Sequence, residues 1–181
     1  MDYRAKFLSV AAAGAVFAAS TGLAQDRDPS PETVWLQAHN AERAQFGAPA
    51  LEWNSELADE AQGWADRLAR EGRMRHAPID AREGRGENLW MGTRGHFAPH
   101  QMIDSFVSEK QYFRAGTFPQ VSSTGNWADV GHYTQIVWRD TREVGCAISQ
   151  GRHWDVLVCR YWPAGNVIGT PIAPQRQLSR R

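Results

Sequence analysis

Val144-Gly145-Cys146-Ala147-Ile148 and Asp155-Val156-Leu157-Val158-Cys159 are the two stretches on which the fold turns. Both are short and rich in β-branched residues, and Gly151-Arg152 between them supplies a turn, so together they read as a β-hairpin. A hairpin centred between Arg152 and His153 sets position 146 directly opposite position 159. Opposed residues share a face, with Cβ atoms near enough for a sulfur bridge. Cys146 and Cys159 are the only two cysteines of the chain, and an exported protein with an even count usually pairs them. A bridge across so short a loop would contribute about 2–3 kcal/mol on the chain-entropy estimate. The alternative is a pair of buried free thiols.

Working outward, Ser30-Pro31-Glu32 carries the signals of a helix start: a capping serine, proline at the first helical position and an acid in the first turn. That helix would run through Val34, Trp35, Ala38 and Ala41 to Gly47, with Pro49 beyond it. A second helix is expected from Asn54-Ser55-Glu56 to Gly72, because Leu57, Ala61, Trp64 and Leu68 recur at helical spacing. Gly86 to Met91 reads as a strand. A third helix follows Pro99, with Met102, Phe106, Glu109 and Phe113 on one stripe. Gly116 to Asp129, with Pro119, Gly125 and several serines, reads as loop, and Gly131 to Trp138 as a short helix. Helices flanking a small, largely antiparallel sheet make the class α+β, layered helix, sheet, helix.

The ends of the chain carry a different signal. Residues 1–24 read as a secretory signal peptide: Arg4 and Lys6, an apolar alanine-rich run from Phe7 to Ala19, and small residues at Gly22-Leu23-Ala24. The run is too short to span a bilayer as a helix, and no other stretch is apolar enough. Export, to a periplasm or outside the cell, is therefore expected, with no transmembrane segment after cleavage. Residues 25–30 form a polar lead-in, and residues 173–181 a basic, frayed tail bearing Arg176, Arg180 and Arg181. The 20 basic and 20 acidic residues balance, which argues against a nucleic-acid partner. What lies between is of single-domain size, expected as a monomer. Its eight tryptophans suit a core of large rings or a groove lined with them.

Chemistry-bearing residues are sparse. Glu109 shares a stripe with apolar residues, so either it faces inward, where a carboxylate must be paired or bound to a metal, or the helix is rotated and it meets a surface arginine. The pattern leaves both open. No His-Glu-x-x-His helix, Cys-x-x-Cys pair or acidic calcium loop occurs, and no Gly-x-Ser-x-Gly elbow presents a nucleophile. A metal site would have to be assembled from distant segments. Of the six histidines, His96, His100 and His153 fall in loops or at the hairpin tip, and His39 lies within the first helix, where a hydrogen-bonded, partly buried ring is expected. His76 and His132 flank secondary elements and are the better candidate ligands.

Four stretches occur in the order of the signature motifs of a known family: His39-Asn40-Ala41-Glu42-Arg43, Gly86-Glu87-Asn88-Leu89, Gly131-His132-Tyr133-Thr134-Gln135-Ile136-Val137-Trp138, and Val158-Cys159-Arg160-Tyr161-Trp162-Pro163-Ala164-Gly165-Asn166. The chain resembles the CAP superfamily of cysteine-rich secretory, antigen five and pathogenesis-related proteins, most of all its plant pathogenesis-related branch, to which Asp104 to Lys110 is also similar. The resemblance implies a CAP domain over residues 31–172, an α-β-α sandwich, and a cleft holding His76, Glu87, Glu109 and His132. It implies too that His76 and His132 can bind a divalent cation, commonly zinc. Phe106 stands where the family often has tryptophan, and Ala77-Pro78 where a serine or threonine usually follows the first histidine. The plant branch has six cysteines, so only the hairpin bridge carries over. Gly169-Thr170-Pro171-Ile172 lacks the tyrosine of the plant C-terminal peptide signal.

Two functions are weighed. One is a secreted binding or interaction module whose cleft takes a sterol, another lipid or apolar small molecule, or a protein, in a defence-like or host-interaction role. The other is a zinc-dependent, protease-like hydrolase with Glu87 or Glu109 as general base. Two protein ligands leave a weaker site than the three usual in catalytic zinc centres, and no oxyanion-hole motif is present, so binding is favoured over catalysis.

Overall fold

A computed structural model describes residues 28–174; the expected signal peptide and the basic tail from residue 175 onward lie outside the described residues. Helix α1 spans Pro31–Phe46, with the Ser30 hydroxyl accepting from the Thr33 amide and Gly47 closing it at φ 82°. Helix α2 spans Ser55–Glu71, where the Asn54 side chain accepts from the amides of Glu56 and Leu57 and Gly72 ends the helix at φ 61°. Each cap satisfies orphan groups that a helix end leaves over. Between the two helices, β1 (Glu52–Trp53) is a short strand that carries no sequence signal of its own.

Strand β2 spans Gly86–Thr93, β4 Glu143–Gln150 and β5 Trp154–Trp162. The main sheet has the order β1-β4-β5-β2; β1 runs parallel to β4, and the other pairs are antiparallel. The register of the hairpin sets Cys146 opposite Cys159, and the two form a disulfide. A second, two-stranded sheet pairs β3 (Gly116–Thr117) with β6 (Pro171–Ile172), so the segment read as loop contributes a short strand.

Period-two alternation gives the sheet two apolar faces. Val156, Val158, Leu89 and Ala147 pack under Ala61, Ala65 and Leu68 of α2. Leu157, Cys159, Tyr161, Val144 and Trp90 pack on the other face with Trp35 of α1, Met102 and Phe106 of α3 (Pro99–Val107), and Tyr133 and Ile136 of α4 (Gly131–Ile136). This is the α-β-α sandwich of the α+β class. Gly145 explains how α2 lies so close to β4: a Cβ there would run into the backbone of Asn54 and Leu57.

The third helix differs from its expected extent. It leaves α geometry after Val107 and continues as a 3₁₀ turn over Ser108–Tyr112, and the Ser108 hydroxyl donates back to the Ser105 carbonyl at 2.7 Å. Such back-bonding competes with the regular ladder. In a 3₁₀ turn residues three apart eclipse, which brings Glu109 round to the side of Phe106. Among the described residues no helix is long and apolar enough to cross a membrane.

The disulfide lies wholly inside the larger core, with Cys146 and Cys159 both buried. The Cys146→Ala/Cys159→Ala double variant is expected to unfold in urea with a loss of about 2–3 kcal/mol. An unchanged midpoint would mean that packing alone holds the hairpin.

Candidate functional site

Strand β2 lies at one edge of the main sheet, and a cavity of about 510 Å³ opens beside its first residues, Gly86, Glu87 and Asn88. His76, from the irregular segment after α2, and His132, near the start of α4, both line it. Phe118, Trp127 and Ile168 give it an apolar side, and Arg82 and Arg85 a cationic one. Glu109 does not line the cavity; it stands behind His132.

The first half of the site hangs on Glu87. On β2 it faces α2, directly opposite Arg160 of β5, and its side chain is wholly buried. Its Oε1 accepts from His76 Nδ1 at 2.6 Å and from the Ala77 amide at 3.0 Å. Its Oε2 lies 3.1 Å from Arg160 Nη2, off hydrogen-bond alignment. A buried carboxylate needs such partners, and here they also anchor the otherwise exposed His76 ring, whose side chain is 56% accessible.

The second half repeats the device with different parts. Glu109 Oε1 accepts from His132 Nδ1 at 2.6 Å. Its Oε2 accepts from the amides of His132 and Tyr133 at 2.9 and 3.1 Å. Glu109 therefore serves as an external cap for the first turn of α4, where free amides and the positive end of the helix favour an anion. Phe106 stacks on the His132 ring with centroids 4.7 Å apart and planes 21° from parallel. Asn88 Nδ2 donates to the His132 carbonyl at 3.1 Å. The ring is thus fixed on its face, at Nδ1 and through its backbone.

An ionised carboxylate only accepts, so each Nδ1 carries the proton and each Nε2 keeps its lone pair. Two oriented imidazoles beside one cavity are a donor set that suits a zinc-like cation, with the carboxylates holding the ligands rather than coordinating. Among the described residues the one group of three or more such side chains with mutual ligand spacing is His39 with Cys146 and Cys159. It offers no thiolate, because both sulfurs are spent in the disulfide. His39 is completely buried, more so than its expected partial burial. His96, His100 and His153 are exposed and do not border the cavity. The sequence reading missed Arg82, Arg85, Trp127 and Asn88 as neighbours of the site. Only Asn88 had a signal, its place beside Glu87 in the Gly86–Leu89 motif.

The family model described as CAP, the cysteine-rich secretory protein family, matches residues 36–161. The chain is 36% identical over 136 residues to pathogenesis-related protein 1C of Nicotiana tabacum, covering 75% of this chain and 76% of that protein. It is also 36% identical over 138 residues to secreted protein RBT4 of Candida albicans, covering 75% of this chain but 35% of RBT4. Among solved structures it is similar to NaASP2 with Zn2+, at a TM-score of 0.69 and 22% identity over 84% of this chain and 90% of that one. BmVAL-1 follows with a TM-score of 0.66 and 22% identity, over 87% and 86% of the two chains. At that identity these structures speak for the fold alone.

Proposed function

Because this chain belongs to the CAP family of cysteine-rich secretory proteins, we propose that it is an exported binding module of the pathogenesis-related kind, whose cleft holds a divalent cation on His76 and His132. The observation that carries this reading is the pairing of each Nδ1 with its own carboxylate at 2.6 Å, which presents two Nε2 lone pairs. Neutral imidazoles are good zinc ligands, and the carboxylate partners fix their tautomer and ring orientation. Zinc held there would act as a Lewis acid toward an oxygen of a bound ligand. The apolar side of the cavity, Phe118, Trp127 and Ile168, supports a lipid or another apolar small molecule as that ligand.

The hydrolase reading needs Glu87 or Glu109 free to take a proton. Glu87 is shared among His76, the Ala77 amide and Arg160, and Glu109 among His132 and two amides. A general base must reach the proton it abstracts; both Glu109 oxygens are hydrogen-bonded, and Glu87 Oε2, which accepts no hydrogen bond, is buried against the Arg160 guanidinium. This favours positioning roles for both. If Glu109 were instead the general base of a hydrolase, Glu109→Gln would abolish activity even at saturating zinc; activity that returns at saturating zinc would mark it as a positioning residue.

Calorimetric titration of zinc into the purified protein tests the reading. Saturable binding is expected, lost in the His76→Ala/His132→Ala double variant. Glu87→Gln and Glu109→Gln should each weaken it by about 10–100-fold, the usual penalty for removing a group that orients a ligand. Equal heats for wild type and the double variant would make the four residues a polar network that only orders the cleft.

A further inference from the structure

The cationic side of the cavity carries guanidinium donors that the protein itself does not satisfy. Arg82 Nε, Arg85 Nε, and Arg160 Nε and Nη1 are all buried and have no hydrogen-bond partner among the described residues. In native proteins such groups are few, and each calls for a physical account. The nearby acids are already engaged. Arg85 pairs with Glu60 at 3.0 Å and Glu83 at 3.3 Å, and Glu87 is divided between His76 and Arg160. Among the described residues the Arg82 guanidinium makes no ion pair, and it borders the cavity together with His76. Arg160 is buried just behind; burial, and more weakly the charges of Arg82 and Arg85, hold its pKa below the usual arginine range. Trp127 and Ile168, which also line the cavity, leave 47% and 80% of their surface exposed. One cavity is therefore bordered both by the Arg82 guanidinium, which has no ion pair among the described residues, and by uncovered apolar area.

We propose that Arg82 and Arg85 form an anion subsite, and that the cleft takes a small amphipathic oxyanion: a carboxylate or phosphate at Arg82, on an apolar body lying against Phe118, Trp127 and Ile168. The proposal rests on the cleft being a binding site, as argued above. Guanidinium suits it because its planar fork matches an oxyanion with two donors at once. A half-buried location keeps the pairing from being fully screened. The apolar body contributes through the area it covers on Phe118, Trp127 and Ile168.

The test uses 4-phenylbutyrate, its neutral counterpart 4-phenylbutanol and inorganic phosphate, each titrated by NMR into the purified protein at low salt with EDTA. The acid is expected to bind about tenfold more tightly than the alcohol, the worth of one charge-assisted hydrogen bond. Arg82→Gln should remove that preference and leave the alcohol's affinity unchanged, while Arg82→Lys should restore part of it. Among the described residues the Arg82 side chain has no hydrogen bond or ion pair to lose, so these variants are expected to keep the fold. Phosphate that displaces the acid but not the alcohol would support the subsite as a free-anion site. Phosphate that displaces neither would support recognition of the whole amphiphile. Equal affinities for acid and alcohol, or a preference that survives both Arg82→Gln and Arg85→Gln, would overturn the proposal. Zinc binding without any acid preference overturns the anion subsite alone. Absence of zinc and probe binding together overturns the binding reading of the cleft as well.

Discussion

Arg43→Met is expected to lower the unfolding free energy by about 3–5 kcal/mol, the range for removing one partner from a buried charged hydrogen-bond set. Arg43 is completely buried, and its partners are carbonyls, not a carboxylate. Its Nε donates to Pro49 at 2.6 Å, Nη1 to Ile136 at 2.7 Å and Trp138 at 2.8 Å, and Nη2 to Thr141 at 2.9 Å. One side chain thus ties the end of α1 to the end of α4 and the turn beyond it. Burial, with Arg142 and Arg139 adding to it, brings its pKa down to about 10, so it stays charged at neutral pH and the four carbonyl dipoles balance that charge. Methionine fills similar space but removes the guanidinium donor from all four oxygens, of which the Trp138 carbonyl keeps the Thr141 amide at 3.3 Å. Lysine keeps the charge but not the fork, so Arg43→Lys should recover only part of the loss. Urea unfolding at neutral pH reads both. A loss below about 1 kcal/mol for Arg43→Met would mean that the carbonyls find other donors, against the usual cost of orphaned buried groups.

The same residue shows where sequence reading reached its limit. Arg43 is a basic residue in the last turn of a helix, which by pattern alone describes a solvated side chain favoured by the helix dipole. Three of its four partners come from more than ninety positions away, and no local period reports them. By contrast, the hairpin was legible because register is arithmetic: the turn position alone sets Cys146 opposite Cys159. The helix starts at Ser30 and Asn54 and the stops at Gly47 and Gly72 were legible because caps are local chemistry.

The candidate site was legible only in part. The stripe through Met102 and Phe106 left the direction of Glu109 open, since a switch to 3₁₀ geometry at Ser108 changes the angle per residue. His76 sits in an irregular segment where no periodicity exists, and only the resemblance joined it to Glu87. Arg82 and Arg85 had no motif to mark them. They belong to the cavity because the segment between α2 and β2 folds over its rim, a matter of tertiary packing.

A second large effect concerns His39 and acid. His39 Nδ1 lies 2.8 Å from the Trp35 carbonyl, and Nε2 lies 2.8 Å from the Tyr161 hydroxyl. The carbonyl can only accept, so Nδ1 carries the proton and Nε2 accepts from Tyr161. Asn88 Nδ2 donates to the same hydroxyl at 3.1 Å and also to the His132 carbonyl at 3.1 Å, so this buried chain runs from the core to the cleft. Burial, partly opposed by the Trp35 carbonyl and then reinforced by Arg43, brings the His39 pKa from 6.5 down to about 4. In the unfolded chain the ring would protonate near its ordinary value. Between pH 6.5 and 4 the unfolded state therefore binds the extra proton, and stability falls as the pH drops through that window. The full loss approaches about 3 kcal/mol at pH 4, because each pH unit between the unfolded and folded values costs about 1.36 kcal/mol. Above pH 7 the group contributes no slope. Urea unfolding of wild type and His39→Gln at pH 7, 5.5 and 4 isolates it, because other titrating groups cancel in the difference. The stability gap between the two proteins should move toward the variant by about 3 kcal/mol across the window. Parallel profiles would mean that the ring accepts a proton inside the fold, with Tyr161 turning its oxygen to receive it. The hydroxyl would then no longer donate to His39, and acid would leave the core and the Asn88 link to the cleft intact.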